Sequence, residues 1–314
     1  MRPSAARHRR PQPALLIALT LLGLVAAACG TGGSPPPPSA GPSASASVSP
    51  SPGPEAGFRL RATTVQALPP LSIFSWTPGL LITDDLVAIQ AGAIPAIYPG
   101  PLVTPLLGAR LTEAAWTTIV DEARAAGLLS GASDFTGGMM PMGAAAGRLE
   151  IVVDGRTFDL TGDPTRVVRC GTQRCIPDPG TPEAFAGFWS RLADLSGWLG
   201  AEVGPQEPWT PAAYAILVGP PPAEDPQLSG APLPWPFEGP SSELGDVLVG
   251  DPTQRCGVVR GDAAASLAAA LQTANQLTRW LDPVAPDAPE ALLGLTVRPL
   301  LPGDGDPCAP LVGG

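Results

Sequence analysis

Residues 58–314 predict an α+β fold: a mostly antiparallel sheet with about three helices packed on one face. Three observations carry this expectation. Segments of alternating or continuous apolar character are separated by stretches with helical spacing. Asp154-Gly155 lies between two such segments as a strong hairpin signal. The chain is 44% hydrophobic, and about 250 residues of that composition supply a sizeable core.

Taken in order, Phe58–Val65 reads as a strand with alternating character, residues 71–76 as a second and residues 80–90 as a third. An irregular Pro/Gly stretch follows around Tyr98-Pro99-Gly100-Pro101. Residues 111–126 place Leu111, Ala115, Ile119, Ala123 and Ala126 near one helical stripe. Thr112 or a neighbour caps this helix, Glu113 suits its positive N-terminal end, and Gly127 stops it. Residues 148–153 and 156–161 are the two arms of the Asp154-Gly155 hairpin. A second helix opens at Thr181-Pro182-Glu183, with Pro at the first helical position, and closes at Gly200. Residues 213–218 read as a strand, about 262–281 as a third helix and 292–300 as a last strand. The Pro-rich residues 219–240 are either a domain boundary or a long loop laid over one core.

The N-terminal residues carry a different signal. Arg2, Arg7, Arg9 and Arg10 form a basic region, and an uncharged apolar run extends from 14 to 28. That run has the length of a signal-peptide core and is short for a membrane span. It ends Leu24-Val25-Ala26-Ala27-Ala28-Cys29-Gly30. This sequence resembles the bacterial lipobox, with Ala26 where Leu is usual. The resemblance implies a signal peptide over 1–28 cleaved before Cys29, and a diacylglyceryl group on that cysteine. It also implies a protein lipid-anchored to the extracytoplasmic face of the cell membrane, because two or more acyl chains anchor stably without a transmembrane helix. The other reading is an ordinary Ala-x-Ala secretory signal beside an incidental cysteine. Residues 30–57 are almost entirely Gly, Ser, Pro and Ala, with four consecutive prolines at 35–38. A segment with so little to bury reads as a disordered stalk from Cys29 to 57, extended by its prolines at about 3.1 Å per residue. The segment Val297-Arg298-Pro299-Leu300-Leu301-Pro302, ahead of Cys308, resembles the endings of uncharacterised secreted proteins from GC-rich bacteria, a likeness that implies no activity.

The formal charge is −10, and removal of the four N-terminal arginines takes it to −14. A domain this acidic, without a basic cluster, excludes nucleic acid as a partner and disfavours anionic lipid headgroups. The chain has no lysine and a single asparagine, Asn275, a bias of the kind a GC-rich coding sequence produces. Beyond Cys29 an even number of cysteines remains: Cys170, Cys175, Cys256 and Cys308. In an exported chain these read as disulfides. Three pairings are formally possible; Cys170 with Cys175 would staple a local turn and leave Cys256 with Cys308. A zinc site lacks the close-spaced pairs it would need at both ends.

Residue types bound the chemistry. The only histidine, His8, lies in the signal region, which removes histidine from nucleophilic triads, general-base roles and metal sites. The absence of lysine removes Schiff-base and Ser-Lys chemistry. No phosphate loop, dinucleotide fingerprint or Gly-x-Ser-x-Gly motif is present. No catalytic residue, metal ligand or cofactor is therefore assigned, and carboxylates are what remains. Asp84-Asp85 reads as mid-strand, its side chains on opposite faces. Asp134-Phe135-Thr136-Gly137 and Asp159-Leu160-Thr161-Gly162 resemble aspartic-protease motifs, but an extra residue separates Asp from Thr-Gly. Gly303-Asp304-Gly305-Asp306 suggests calcium without the further spaced oxygen ligands of a loop site.

The ligand-contact candidates are Met139, Met140 and Met142, in a Gly-rich loop, and Trp209 and Trp235, in Pro-rich stretches. The methionines suit either Cu(I) or an adaptable apolar flap. The tryptophans either pin their loops to a core or form a ridge for a ligand. The reading that follows is a non-enzymatic, membrane-tethered module that binds a ligand or protein of the cell envelope. Its alternatives are a carboxylate-dependent hydrolase of cell-wall polymer or glycan, and Cu(I) handling by the methionine loop.

Overall fold

The computed structural model describes residues 57–138, 144–166, 176–282 and 292–313. Cys29, the signal and stalk segments, Met139, Met140, Met142, Cys170 and Cys175 lie outside the described residues.

The first part of the chain forms β1 (Phe58–Val65), β2 (Leu80–Thr83), β3 (Val87–Ala91), β4 (Leu106–Leu111), helix α1 (Glu113–Ala125), β5 (Asp134–Phe135), β6 (Ala146–Val153), β7 (Arg156–Gly162), helices α2 (Pro182–Leu192) and α3 (Leu195–Leu199), and β8 (Val203–Trp209). These eight strands make one sheet in the order β5-β7-β6-β1-β2-β3-β4-β8, antiparallel except where β5 meets β7. The rest forms β9 (Ala213–Gly219), β10 (Leu233–Pro234), β11 (Asp246–Leu248), β12 (Asp251–Arg260), α4 (Gly261–Leu271), β13 (Trp280–Leu281), β14 (Leu292–Pro299) and α5 (Ala309–Val312). Its six strands make a second sheet, β10-β13-β14-β9-β12-β11, antiparallel except for β10 with β13. The fold is thus α+β and mostly antiparallel, with two sheets instead of the one expected, and with five helices among the described residues.

Local chemistry explains where the elements fall. Thr112 caps α1 by accepting a hydrogen bond from the Ala115 amide, and Thr181 caps α2 the same way from Ala184. Asp154 and Gly155 both take positive φ, 51° and 72°, the backbone that a two-residue hairpin with right-handed twist demands. Four expectations need correction. Residues 71–76 do not extend as a strand: Pro69 and Pro70 start a 3₁₀ turn, Pro70–Ile73, and Phe74 is buried against the second sheet. Residues 80–90 are two strands, because Leu86 at φ 62° turns the chain back after Asp84-Asp85. The helix opened at Pro182 breaks at Asp194, whose carboxylate caps α3 through the Gly197 amide. The helix from 262 ends at Leu271, and an Asn275 turn, its side chain accepting from the Leu277 amide, delivers Trp280 into β13.

Four apolar clusters follow from this layout. α1 and α2 cover one face of the eight-stranded sheet, where Leu60, Leu149, Ile151 and Leu160 meet Ile119, Phe185 and Phe188. Gly162 is required here: an added Cβ would sit 2.4 Å from the Phe185 ring. On the opposite face Leu81, Ile89 and Leu106 lie under Leu301, from the segment after β14. One face of the second sheet buries Ile216, Val218, Trp235, Leu267 and Trp280. Its other face carries Ala215, Leu217, Phe74 and Leu311 around the Cys256–Cys308 disulfide, whose Cα atoms are 5.4 Å apart. No helix among the described residues is long and apolar enough to cross a membrane.

Candidate functional site

Strand periodicity builds the site. Along β1, Leu60 and Ala62 point under the helices, so Arg61 and Thr63 point to the other face. Along β6, Leu149 and Ile151 are inward and Arg148 and Glu150 outward; on β7, Leu160 is inward and Asp159 outward. Register then sets Arg61, Glu150 and Asp159 in one row across three strands.

Two acids side by side in such a row would repel, and arginines fill the space around them. Arg148 donates to both oxygens of Asp159, at 2.9 and 2.7 Å, and its Nη2 lies 3.5 Å from Glu150 Oε1. The bond to Asp159 holds the Arg148 guanidinium still more firmly in its charged form. Arg61 stands 3.9 Å from Glu150 and 3.2 Å from Asp304, donates to the Pro302 carbonyl at 3.0 Å, and lies over the Phe58 ring at 4.3 Å. Asp304, 5% exposed, also meets Arg298 at 3.5 Å and accepts from the Leu301 amide. The C-terminal segment is thereby strapped to the open face by a chain of alternating charges, Asp159, Arg148, Glu150, Arg61, Asp304 and Arg298. Arg61, Glu150 and Asp304 are largely buried and must be paired, because an unpaired buried charge costs several kcal/mol, whereas Arg148 and Asp159 pair at the surface.

A cleft of about 240 Å³ opens beside this chain, walled by Arg61, Arg148 and Arg298 with Ile73, Trp76 and Pro78. The Nε atoms of Arg61 and Arg298 are buried and have no hydrogen-bond partner among the described residues. The Nε atoms of Arg255 and Arg279 are unpartnered in the same way elsewhere, so what sets this cleft apart is the convergence of three guanidinium groups on one opening. Guanidinium forks beside an aromatic and aliphatic wall suit an anionic group joined to an apolar body. They do not suit general acid–base work, since Glu150, Asp159 and Asp304 are each engaged by arginine. A larger cleft, about 390 Å³ beside β9 and β14, offers only neutral groups such as Gln254, Gln276, Thr278 and Thr296.

Of the carboxylates singled out in the sequence, Asp159 and Asp304 belong to this site. Asp84 and Asp85 occupy the β2–β3 turn and not mid-strand: Asp84 lends its carbonyl to Arg59, and Asp85 accepts from the Thr83 hydroxyl. Asp134 accepts from the Thr136 amide at 2.8 Å, which lowers its carboxyl below the ordinary value. Asp304 is turned toward arginines, and Asp306 caps the Cys308 amide at 2.8 Å. No group of three or more potential metal-binding His, Cys, Asp or Glu residues occurs among the described residues. Trp235 is buried in the second sheet's core and meets Phe237 edge-on at 5.2 Å; Trp209 is half-buried at the end of β8 against Gly108. Arg61, Arg148, Glu150 and Arg298 escaped the sequence reading. Their outward phase was visible in β1 and β6, but their partner Asp304 lies over 200 residues away from Arg61, and no local pattern announces it.

The chain matches no protein-family model, no curated protein and no solved structure.

Proposed function

We propose that this chain is a lipid-tethered, extracytoplasmic binding module that takes an anionic ligand in the cleft between Arg61, Arg148 and Arg298. The tether rests on the lipobox-like residues ending at Cys29 and on the Pro-rich stretch behind it. The observation that carries the ligand class is the convergence of the Arg61, Arg148 and Arg298 guanidinium groups on a cleft shared with Trp76, whose acids, Glu150 and Asp304, are both engaged by arginine. That arrangement favours binding over turnover, and the absence of lysine anywhere and of histidine beyond His8 points the same way.

Two measurements test the two parts. Cys29→Ser should move the protein from the membrane fraction to the soluble one; retention on the membrane contradicts the tether. Thermal unfolding of the full chain in detergent should then be followed against phosphate- and carboxylate-bearing cell-wall fragments, with neutral glycans as controls. A ligand at a hundred times its Kd adds about 2.7 kcal/mol, several degrees for a domain of this size. A shift with neutral glycans alone would contradict the anion-binding reading.

One observation favours a second reading. Glu150 and Asp159 are cross-strand neighbours on β6 and β7, a pair of carboxylates that could serve a hydrolase only once a substrate draws Arg148 away from them. If a cell-wall polymer or glycan is turned over, Asp159→Asn should abolish that activity at unchanged fold.

A further inference from the structure

The strands β1 to β4 are consecutive neighbours in the eight-stranded sheet, so the loops 66–79 and 92–105 leave it at the same end. Neither contains a charge: residues 62–83 and 86–109 have no Asp, Glu, Arg, Lys or His, in a chain otherwise rich in acid. Ten large hydrophobic residues are exposed among the described residues, and six fall in these two loops: Leu68, Leu71, Trp76, Ile94, Ile97 and Tyr98. The second loop shows this most sharply. Every residue from 93 to 98 is exposed, Ile97 by 69% and Tyr98 by 62%.

The exposure is built in, because the base of that loop is fixed. The Gly92 amide donates to the Pro105 carbonyl at 2.7 Å, and the Gly100 amide donates to the Gln276 side chain at 3.2 Å. The Gln276 amide returns a bond to the Gly100 carbonyl at 3.0 Å, while Leu102 and Val103 pack on the second sheet's core. An uncharged tip of Ile, Pro, Ala and Tyr on an anchored base has the composition that seats in a bilayer interface, where the ring and hydroxyl of Tyr suit the headgroup level.

We infer that residues 93–98 dip into the lipid surface to which the chain is tethered, with the neighbouring loop beside them. This rests on the tethered reading above, which also supplies the occupant. A tether keeps the domain at high effective concentration against one particular surface, so a weak apolar contact suffices. The geometry permits it. Phe58 pairs with Thr83 at the end of the sheet opposite these loops, about 26 Å away along an eight-residue strand. A Pro-rich segment the length of 29–57 reaches about 90 Å when extended, enough for the domain to lay its far end on the membrane.

The test places an environment-sensitive NBD label at Ile97→Cys in the full chain on phosphatidylcholine vesicles, with Thr118→Cys on the exposed side of α1 as control. The label at 97 should shift to the blue and be quenched by nitroxide-bearing lipid, equally at low and high salt, because no charge is involved. The label at 118 should do neither. Adding Tyr98→Asp and Ile94→Asp should remove the shift at unchanged Tm. A label at 97 that stays in water on the vesicles overturns the inference, as does one that responds only when envelope protein is added. Cys29→Ser fractionation reports on the tether, and the label at 97 in protein already anchored in the vesicles reports on the tip, so the two failures are distinguishable.

Discussion

On the helix side of the eight-stranded sheet, Leu60, Leu149, Ile151 and Leu160 pack against Ile119 and Phe185. On the other side, the residues adjacent along the same strands, Arg61, Arg148, Glu150 and Asp159, form a chain of ion pairs closed by the C-terminal strap. The strands are shared and the chemistry alternates with the pleat, so one set of backbones serves two purposes. Apolar burial on one face supplies stability, and in the proposed function the charge array on the other supplies recognition. The two faces should therefore respond to substitution in separable ways.

The largest effect on stability is expected on the helix face. Phe185→Ala removes a fully buried ring beneath α2 and should cost about 4 kcal/mol, read as a loss of roughly 10 °C in Tm. Ligand affinity of the remaining folded protein should not change. A comparable loss is expected when Cys256 and Cys308 are both replaced by Ala, since closing a loop of 52 residues constrains the unfolded chain by about 4 kcal/mol. Denaturant unfolding of the reduced and oxidised protein checks it directly. The strap comes next. Leu301→Ala, at 4% exposure, should cost about 3 kcal/mol, and unlike Phe185→Ala it should also weaken ligand binding, because the Leu301 side chain seats on Leu81, Ile89 and Leu106 the strap that carries Asp304. Equal binding by both variants would contradict the separate roles of the two faces. Thr112→Ala removes the α1 cap together with the hydroxyl's bond to Glu202 and should cost about 1 kcal/mol.

The smallest effect is that of pH. Asp134 and Asp163 have carboxyls lowered below their usual value of 3.8 by bonds from Thr136 and Thr165. A lowered folded-state value means that the folded form binds the proton less readily than the unfolded one. The contribution is then complete above the ordinary carboxylate range and is lost as pH falls through the lowered value. With no histidine beyond His8, Tm should be flat between pH 5 and 8 and fall only below about 4.

The helix face was largely legible in the sequence, because its signals are local: a Thr cap, a Pro at the first helical position, an Asp-Gly hairpin and a repeating apolar phase all lie within a few residues of what they control. In the second sheet β9 and β14 were legible, but β12 was not, and neither was β8 at the edge of the first sheet. β8 contains Pro205 and Pro208 and few apolar residues, tolerated because it is an edge strand, and β12 opens with the polar run Asp251-Pro252-Thr253-Gln254-Arg255. Neither looks like a strand until its neighbours are known. The cleft fared the same way. Arg61 and Glu150 could be assigned to an outward face, but only tertiary structure brings Arg298 and Asp304 across to them.

The most direct test of the anion-binding cleft is a calorimetric titration. The anionic cell-wall fragment giving the largest shift in Tm would be titrated into the unaltered full chain and into Arg148→Gln. Arg148 is 44% exposed and paired at the surface, so its loss should change stability by under about 1 kcal/mol. The predicted result is at least a roughly tenfold loss of affinity, about 1.4 kcal/mol, at nearly unchanged Tm. Equal affinity in the two proteins would contradict the assignment of the ligand to this cleft.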